Sequence, residues 1–324
     1  MDWLKLNTNE SPLPPSPTVA RAIAAAAEDL RLYPHPFGEP LRSALAAHHG
    51  VEPAAIFVAN GGDQVLDCCY RAFVEPGDAV VHPTPTYSLF PVLSRMFAVS
   101  DVAVPLQNGA LSPDFTTRPA PLRFVVNPNS PTGHWIPPES LERQLAGASG
   151  VVVIDEAYVD FAPASCAPHV GRHDNWVVLR SFSKAHALAG LRVGYALGSA
   201  AVIEDLEAVK DSYPVDRCAV AGAVAALEDE EHHRLIVETV RAQRDRLTAG
   251  LRELGWTVQP SQANFVYARP GSGRAATDVA RRLRAQRILV RCFDGPQTHD
   301  HVRITVGDAA ATDRVLAALT DMQA

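Results

Sequence analysis

The sequence predicts an α/β protein, a large domain with a mostly parallel central sheet followed by a smaller C-terminal α+β domain. Three observations predict it. Short β-branched runs ("AAIFVAN", "DAVVHPTPTY", "LRFVVNPNSPTG", "GVVVIDEAY", "NWVVLRSFSK") recur, several of them separated by helical stretches, the order of strands joined by crossover helices. Each run closes in turn chemistry. After about residue 205 the pattern changes to a long charged helical stretch, "DEEHHRLIVETVRAQRDRLTAGLREL", and then to "QANFVYAR", "RILVRCF" and "VRITVG".

Taken in order, residues 1–40 are rich in Pro and polar turns and read as an arm, with one helix candidate, "TVARAIAAAAEDLRL". Residues 41–205 form the predicted large domain. Here "AAIFVAN" runs into Gly61-Gly62 and a helical "QVLDCCYRAFV", and the remaining strands follow. Residues 206–324 form the predicted small domain. No internal repeat or low-complexity tract interrupts the chain.

Composition narrows the function. The 324 residues are 47% hydrophobic and 20% charged, with a net charge of -7, which disfavours nucleic-acid and anionic-membrane partners. Apolar runs are too short for a membrane span. The opening "MDWLKLNTNESP" lacks a basic region followed by an apolar run, so no secretory signal is expected. The cysteines (Cys68, Cys69, Cys166, Cys218, Cys292) form no CxxC pattern and are expected to be reduced, as in a cytoplasmic protein. His35, His48, His49, His232 and His233 lack metal-ligand spacing and are expected to be solvated; no metal is predicted.

The chemistry concentrates at strand ends, where open α/β sheets bind ligands. "VVVIDEAY" carries a buried strand into Asp155, and a carboxylate there needs a cation or strong donors. The next strand ends in "SFSK", at Lys184, an amine among small and apolar residues. If these ends adjoin, one cavity holds an acid and an amine. Pyridoxal phosphate needs both, a lysine for its aldehyde and an acid that keeps its ring nitrogen protonated. Tyr158 is placed to donate to the ring's 3-oxygen, and Tyr87 to stack on the ring. The phosphate is expected on the backbone of "NGGDQ" (Gly61, Gly62, Asp63) at a helix N-terminus. Ser181, Ser183 and Arg192 add two hydroxyls and a cationic fork. Each piece alone has a bland reading as turn, cap or core residue; their joint order carries the prediction.

Together "NGGDQ", "NPNSPTG", "VIDEAYVDF", "SFSKAHALAGLRVGYALG", "ANFVYAR" and "VRITVG" resemble the histidinol-phosphate aminotransferases, a branch of the class I/II, fold-type I pyridoxal-phosphate aminotransferases. The resemblance runs from "LNTNESP" to the C-terminal helix. It implies a homodimer with shared active sites and ping-pong transfer from an amino donor to a 2-oxo acid, 2-oxoglutarate. It implies Lys184 as the Schiff-base lysine, Asp155 as the partner of the ring nitrogen and Tyr158 as the 3-oxygen donor. Tyr33 resembles the tyrosine lent by a second subunit to the phosphate. Arg303 resembles the arginine that grips the substrate carboxyl or its equivalent, Arg291 one that contacts the substrate phosphate, and Asn7 falls among the substrate-binding residues.

Three departures from the family pattern stand out. Ser130 replaces the asparagine that bonds the cofactor's 3-oxygen, the segment before "LNTNESP" is short, and Asp216 stands near the substrate entrance where relatives often have Asn. The same cofactor residues also fit an aminotransferase for another amino acid, such as an aromatic one. They fit a threonine-phosphate decarboxylase and, with less weight, a non-catalytic pyridoxal-phosphate-binding protein. No GxGxxG follows a strand to support a nucleotide-binding enzyme.

Overall fold

The computed structural model describes residues 2–107, 109–271 and 273–322. Among these, the strands of the first part are β1 (Leu4–Lys5), β2 (Ile56–Ala59), β3 (Ala79–Thr84), β4 (Ser100–Pro105), β5 (Leu122–Val126), β6 (Val151–Asp155), β7 (Trp176–Ser181) and β8 (Gly194–Gly198). They are followed by β9 (Thr257–Val258), β10 (Phe265–Arg269), β11 (Ile288–Leu289), β12 (Arg291–Cys292) and β13 (Val302–Thr305).

Seven strands form one sheet in the order β2-β8-β7-β6-β5-β3-β4. Strands β3 to β7 pair in parallel, and only β8 runs against its neighbours. Side chains of a strand alternate between faces. Val152 and Ile154 of β6 therefore enter one core while Val153 enters the other, and Val178 parts from Val177 and Leu179 in the same way. Burial on both faces explains why these runs are almost wholly apolar, each buried Val or Ile contributing about 1.5–3 kcal/mol.

A second, antiparallel sheet, β12-β13-β10-β9, packs its own core, which includes Val266, Ile304, Leu247 and Val315. The proline-rich start does not stay apart from it. Strand β1 pairs in parallel with β11, and Leu6 is buried in that C-terminal core. The helix of the arm is shorter than its pattern suggested, Pro17–Ala27, begun by a proline and by the Ser16 hydroxyl accepting from Thr18 N–H.

The composition shift at residue 205 is not where the cores change over. Helix Arg217–Glu228 sends Ala219, Val220 and Ala223 into the core of the large sheet. The changeover falls within the long helix Glu230–Glu253, whose Leu247 and Leu251 belong to the C-terminal core. An Ala/Val-rich helical face is apolar whichever core receives it, so its pattern could not report the choice. No helix among the described residues is long and apolar enough to cross a membrane.

Candidate active site

Strands β5, β6 and β7 end side by side, with Val126 opposite Asp155 and Asp155 opposite Leu179. Beyond their carboxyl ends lies a cavity of about 190 Å³. Gly62, Asp63, Tyr87, Ser130, Asp155, Tyr158, Ser181, Ser183, Lys184 and Arg192 all line it, with Leu66, Val126, Ala157 and Leu179 as further walls. Parallel pairing is what brings the residues together, since it sets the acid of one strand beside the lysine that follows the next.

Asp155 is buried, and its carboxylate takes one hydrogen bond from a main-chain donor, Ala157 N–H at 2.9 Å from Oδ1. Among the described residues no ion pair reaches it. Burial pushes its pKa up to about 7; the Ala157 N–H and Lys184 pull the other way, while Asp63 and Glu156 add to the rise. This is the electrostatics of an acid that lacks its cation. Lys184, half-buried, donates to the Thr8 carbonyl at 3.4 Å, and its Nζ lies 5.7 Å from the centre of the Tyr158 ring.

At the other end, helix Gly61–Phe73 aims its first turn at the cavity. Its opening N–H groups have no partners within the helix and carry the positive end of its dipole. Gly61 has φ +78°, a backbone conformation strained for any side chain, and a Cβ there would stand 2.6 Å from Arg192 Nη2, which would have to move. Gly194 is constrained by backbone instead, because a Cβ there would lie 2.6 Å from Gly62 N. Arg192 itself adopts φ 54°, a strained conformation for a non-glycine residue of the kind found at functional sites. Its Nη1 donates to Ser183 Oγ at 3.5 Å and its Nη2 to Asp63 Oδ2 at 3.4 Å. Asp63 also accepts from the Tyr87 hydroxyl at 3.0 Å, and burial raises the Tyr87 pKa. Asp63 thus orients the arginine and the tyrosine, while its N–H belongs to the helix start.

Arg303 faces this cavity's lining from β13. Its Nη1 donates to Ser130 Oγ and its Nη2 to the Asn7 carbonyl, both at 3.1 Å, and it sits 5.2 and 5.4 Å from the rings of Phe265 and Phe293. Its buried Nε and the buried Oδ1 of Asn7 have no partner among the described residues. Burial lowers the pKa of Arg303, the direction expected of a cation that awaits an anion. Arg291 pairs with Arg303 across β12 and β13, which sets both on one face. It lines an adjoining cavity of about 430 Å³ with Thr84, Thr86, Ser88 and Phe293.

Some expected residues lie elsewhere. Tyr33 is 78% exposed and stacks on Tyr213 at 4.6 Å, outside the cavity. Asp216 caps helix Arg217–Glu228, accepting from Ala219 N–H at 2.8 Å, so its charge serves the helix start. Two histidines expected to be solvated are packed instead. His49 Nε2 meets the Tyr195 hydroxyl at 2.9 Å, and burial holds its pKa down at about 3. His233 stacks on His186 at 4.5 Å. The sequence reading missed Asn9, a buried residue whose Nδ2 donates to the Tyr158 hydroxyl at 3.0 Å. No local signal could have found it, because its partners lie 149 and 296 positions away.

Comparison with known proteins places the chain among the aminotransferases. The family model for aminotransferase class I and II matches residues 1–319. Histidinol-phosphate aminotransferase 1 of Bradyrhizobium diazoefficiens is 45% identical over 325 residues, covering 98% of this chain and 92% of the relative. The crystal structure of histidinol-phosphate aminotransferase from Sinorhizobium meliloti in complex with pyridoxal-5'-phosphate superposes with a TM-score of 0.92 at 29% identity, over 99% of this chain and 90% of that one. L-threonine-O-3-phosphate decarboxylase from Porphyromonas gingivalis shares the fold, with a TM-score of 0.87 at 22% identity over 99% of each chain.

Proposed function

Since this chain belongs to the class I and II aminotransferases, and among them to the histidinol-phosphate aminotransferase family, we propose that it transfers the amino group of histidinol phosphate to 2-oxoglutarate with pyridoxal phosphate as its cofactor. The observation that carries this reading is one cavity lined by Lys184, by Asp155, which no ion pair reaches among the described residues, and by a helix start suited to an anion, with Arg303 bonded to the lining residue Ser130.

The residues present fit the cofactor. A buried acid whose pKa burial lifts to about 7, with no ion pair reaching it among the described residues, matches a ring nitrogen that brings a positive charge. The backbone at Gly61 and Gly62, with Gly61 in the left-handed conformation that side chains rarely adopt, matches a phosphate approached closely by N–H groups. Gly62, Asp63, Ser181, Ser183 and Arg192 would hold that phosphate, and Tyr33 is presented for the same group in a second copy of the chain. Tyr87 is the aromatic wall. When bound, pyridoxal phosphate supplies an aldehyde that takes up the amino group and a ring that accepts the electron pair left at the amino-bearing carbon.

This chain's own residues do the rest. Asp155 holds the proton on the ring nitrogen, which requires it to stay ionised, and the cation it meets there lowers its pKa. Tyr158 donates to the 3-oxygen. Lys184, as a neutral amine, would take the proton from the amino-bearing carbon and would be the group that hands it on. Leu66, Val126 and Leu179 keep that proton transfer away from bulk water. Arg303 binds the carboxylate of the oxo acid, and Arg291 with Arg303 the phosphate of the amino donor. Ser130 is bonded to Arg303, so the position that in relatives serves the cofactor here steadies the substrate arginine.

An absorbance spectrum tests the proposal. The expected result is a bound-cofactor band that histidinol phosphate converts to the pyridoxamine form and 2-oxoglutarate restores. A band that ignores histidinol phosphate but answers to another amino acid discards the substrate and keeps the transaminase. Carbon dioxide released from threonine phosphate makes it a decarboxylase. No band after pyridoxal phosphate is added overturns the cofactor.

A further inference from the structure

The side chain of Asn9 is oriented by its neighbours. The Asn9 backbone N–H donates to Thr305 Oγ1 at 3.0 Å, and the Thr305 hydroxyl donates back to Asn9 Oδ1 at 3.1 Å. With Oδ1 engaged, Nδ2 is the end turned to Tyr158, 3.0 Å from the phenol oxygen. An amide nitrogen only donates, so the Tyr158 oxygen must accept. The phenol's own proton is then left for another group, and among the described residues none receives it, although Tyr158 lines the cavity. The arrangement is fixed from behind. Asn264 Nδ2 donates to the Asn9 carbonyl at 2.9 Å, both residues are buried, and Asn9 sits at φ 57°, where Asn is among the few residues tolerated. Phe265 meets the Tyr158 ring edge-on at 5.2 Å.

We propose that Asn9 is a positioning residue for Tyr158, turning the phenol's proton into the cavity toward the 3-oxygen of the cofactor. The proposal rests on the cofactor reading given above. A hydroxyl that accepts one hydrogen bond donates a stronger one, so Asn9 both aims Tyr158 and strengthens it. The N-terminal segment thereby acts on the cofactor through a residue of the large domain, without touching it.

The absorbance of bound pyridoxal phosphate changes with pH, and a donor at its 3-oxygen stabilises the anionic form and lowers the midpoint. Asn9→Gly removes the side-chain donor and keeps a residue suited to positive φ. In the loaded protein it is expected to raise that midpoint by about half to one pH unit. Tyr158→Phe is expected to raise it at least as far, and Asn9→Gly added to Tyr158→Phe to change nothing further. A wild-type midpoint in Asn9→Gly, even with a lowered Tm, beside a shifted Tyr158→Phe overturns the role of Asn9 and leaves the cofactor reading standing. An unshifted Tyr158→Phe, with the cofactor band still present, overturns Tyr158 as the 3-oxygen donor and the role of Asn9 with it. Should Asn9→Gly not fold, the isosteric Asn9→Asp is titrated with and without Tyr158→Phe. A shift that disappears with the phenol supports the proposal; one that persists is charge alone and overturns it.

Discussion

Asp155 and Asp160 stand five residues apart, both carboxylates largely removed from water, in opposite electrostatic states. At Asp160 burial alone would raise the pKa, but Arg180, donating at 2.6 Å, together with His233 and His186 holds it well below the usual carboxylate range. Arg241 further ties this turn down through the carbonyls of Asp160, Phe161 and Ala162. At Asp155 no such cation arrives, and the acid is left near pH 7. One acid has its charge settled by the fold, the other has it held open for a ligand. A buried group that the fold leaves unsatisfied is a better pointer to chemistry than a buried group as such.

Substitution separates the two acids most sharply. Asp155→Asn is expected to lower kcat by about a thousandfold, some 4 kcal/mol of barrier, with no loss of thermal stability. A variant within tenfold of wild type would place Asp155 with the structural acids. Asp160→Asn is expected to do the reverse, costing about 3–5 kcal/mol in a denaturant melt because Arg180 is left buried and unpaired; an unchanged melt would erase the contrast.

Their pH dependences have opposite signs. The raised pKa of Asp155 gives cofactor-free protein stability that is complete below about pH 4 and lost as pH rises toward 7, by up to about 4 kcal/mol. Asp155→Asn should flatten that window, and added pyridoxal phosphate should shrink it. The lowered pKa of Asp160 gives stability present above about pH 4 and lost below it. Thermal melts from pH 3 to 8, with and without each substitution, measure both slopes.

Ser130 lies between these extremes, and its effect should be the smallest. It is buried and supplies one hydroxyl to Arg303. Ser130→Ala is expected to raise KM for the amino donor about threefold to tenfold and leave kcat within about twofold. A fall in kcat with unchanged KM would return Ser130 to the cofactor.

Most of the site was legible because its residues sit at strand ends and helix starts, where short motifs report geometry. Asp155 follows four apolar residues, Lys184 follows a strand by three, and Gly61-Gly62 opens a helix. Residues placed by long-range packing were not legible. Asn9 reads as one more polar residue in a proline-rich stretch until Thr305 and Tyr158 are brought to it. The exposure of Tyr33 and the capping role of Asp216 likewise depend on neighbours that only the fold supplies. That helix Arg217–Glu228 joins the core of the large sheet was not legible, because apolar periodicity reports that a helix is buried and not against what.

The pairing of β1 with β11, with Asn9 held by Thr305 and Asn264, has a consequence for synthesis on the ribosome. The seven-stranded sheet is complete once residue 198 has emerged. Strand β1 and the anchors of Asn9 must wait for nearly the last residues before they are paired. Until then Tyr158 lacks its donor and Arg303 is not yet made. A nascent chain can therefore carry Gly61, Arg192 and Lys184 in place well before it carries Arg303. Activity should appear in one late step, when the two ends of the polypeptide meet.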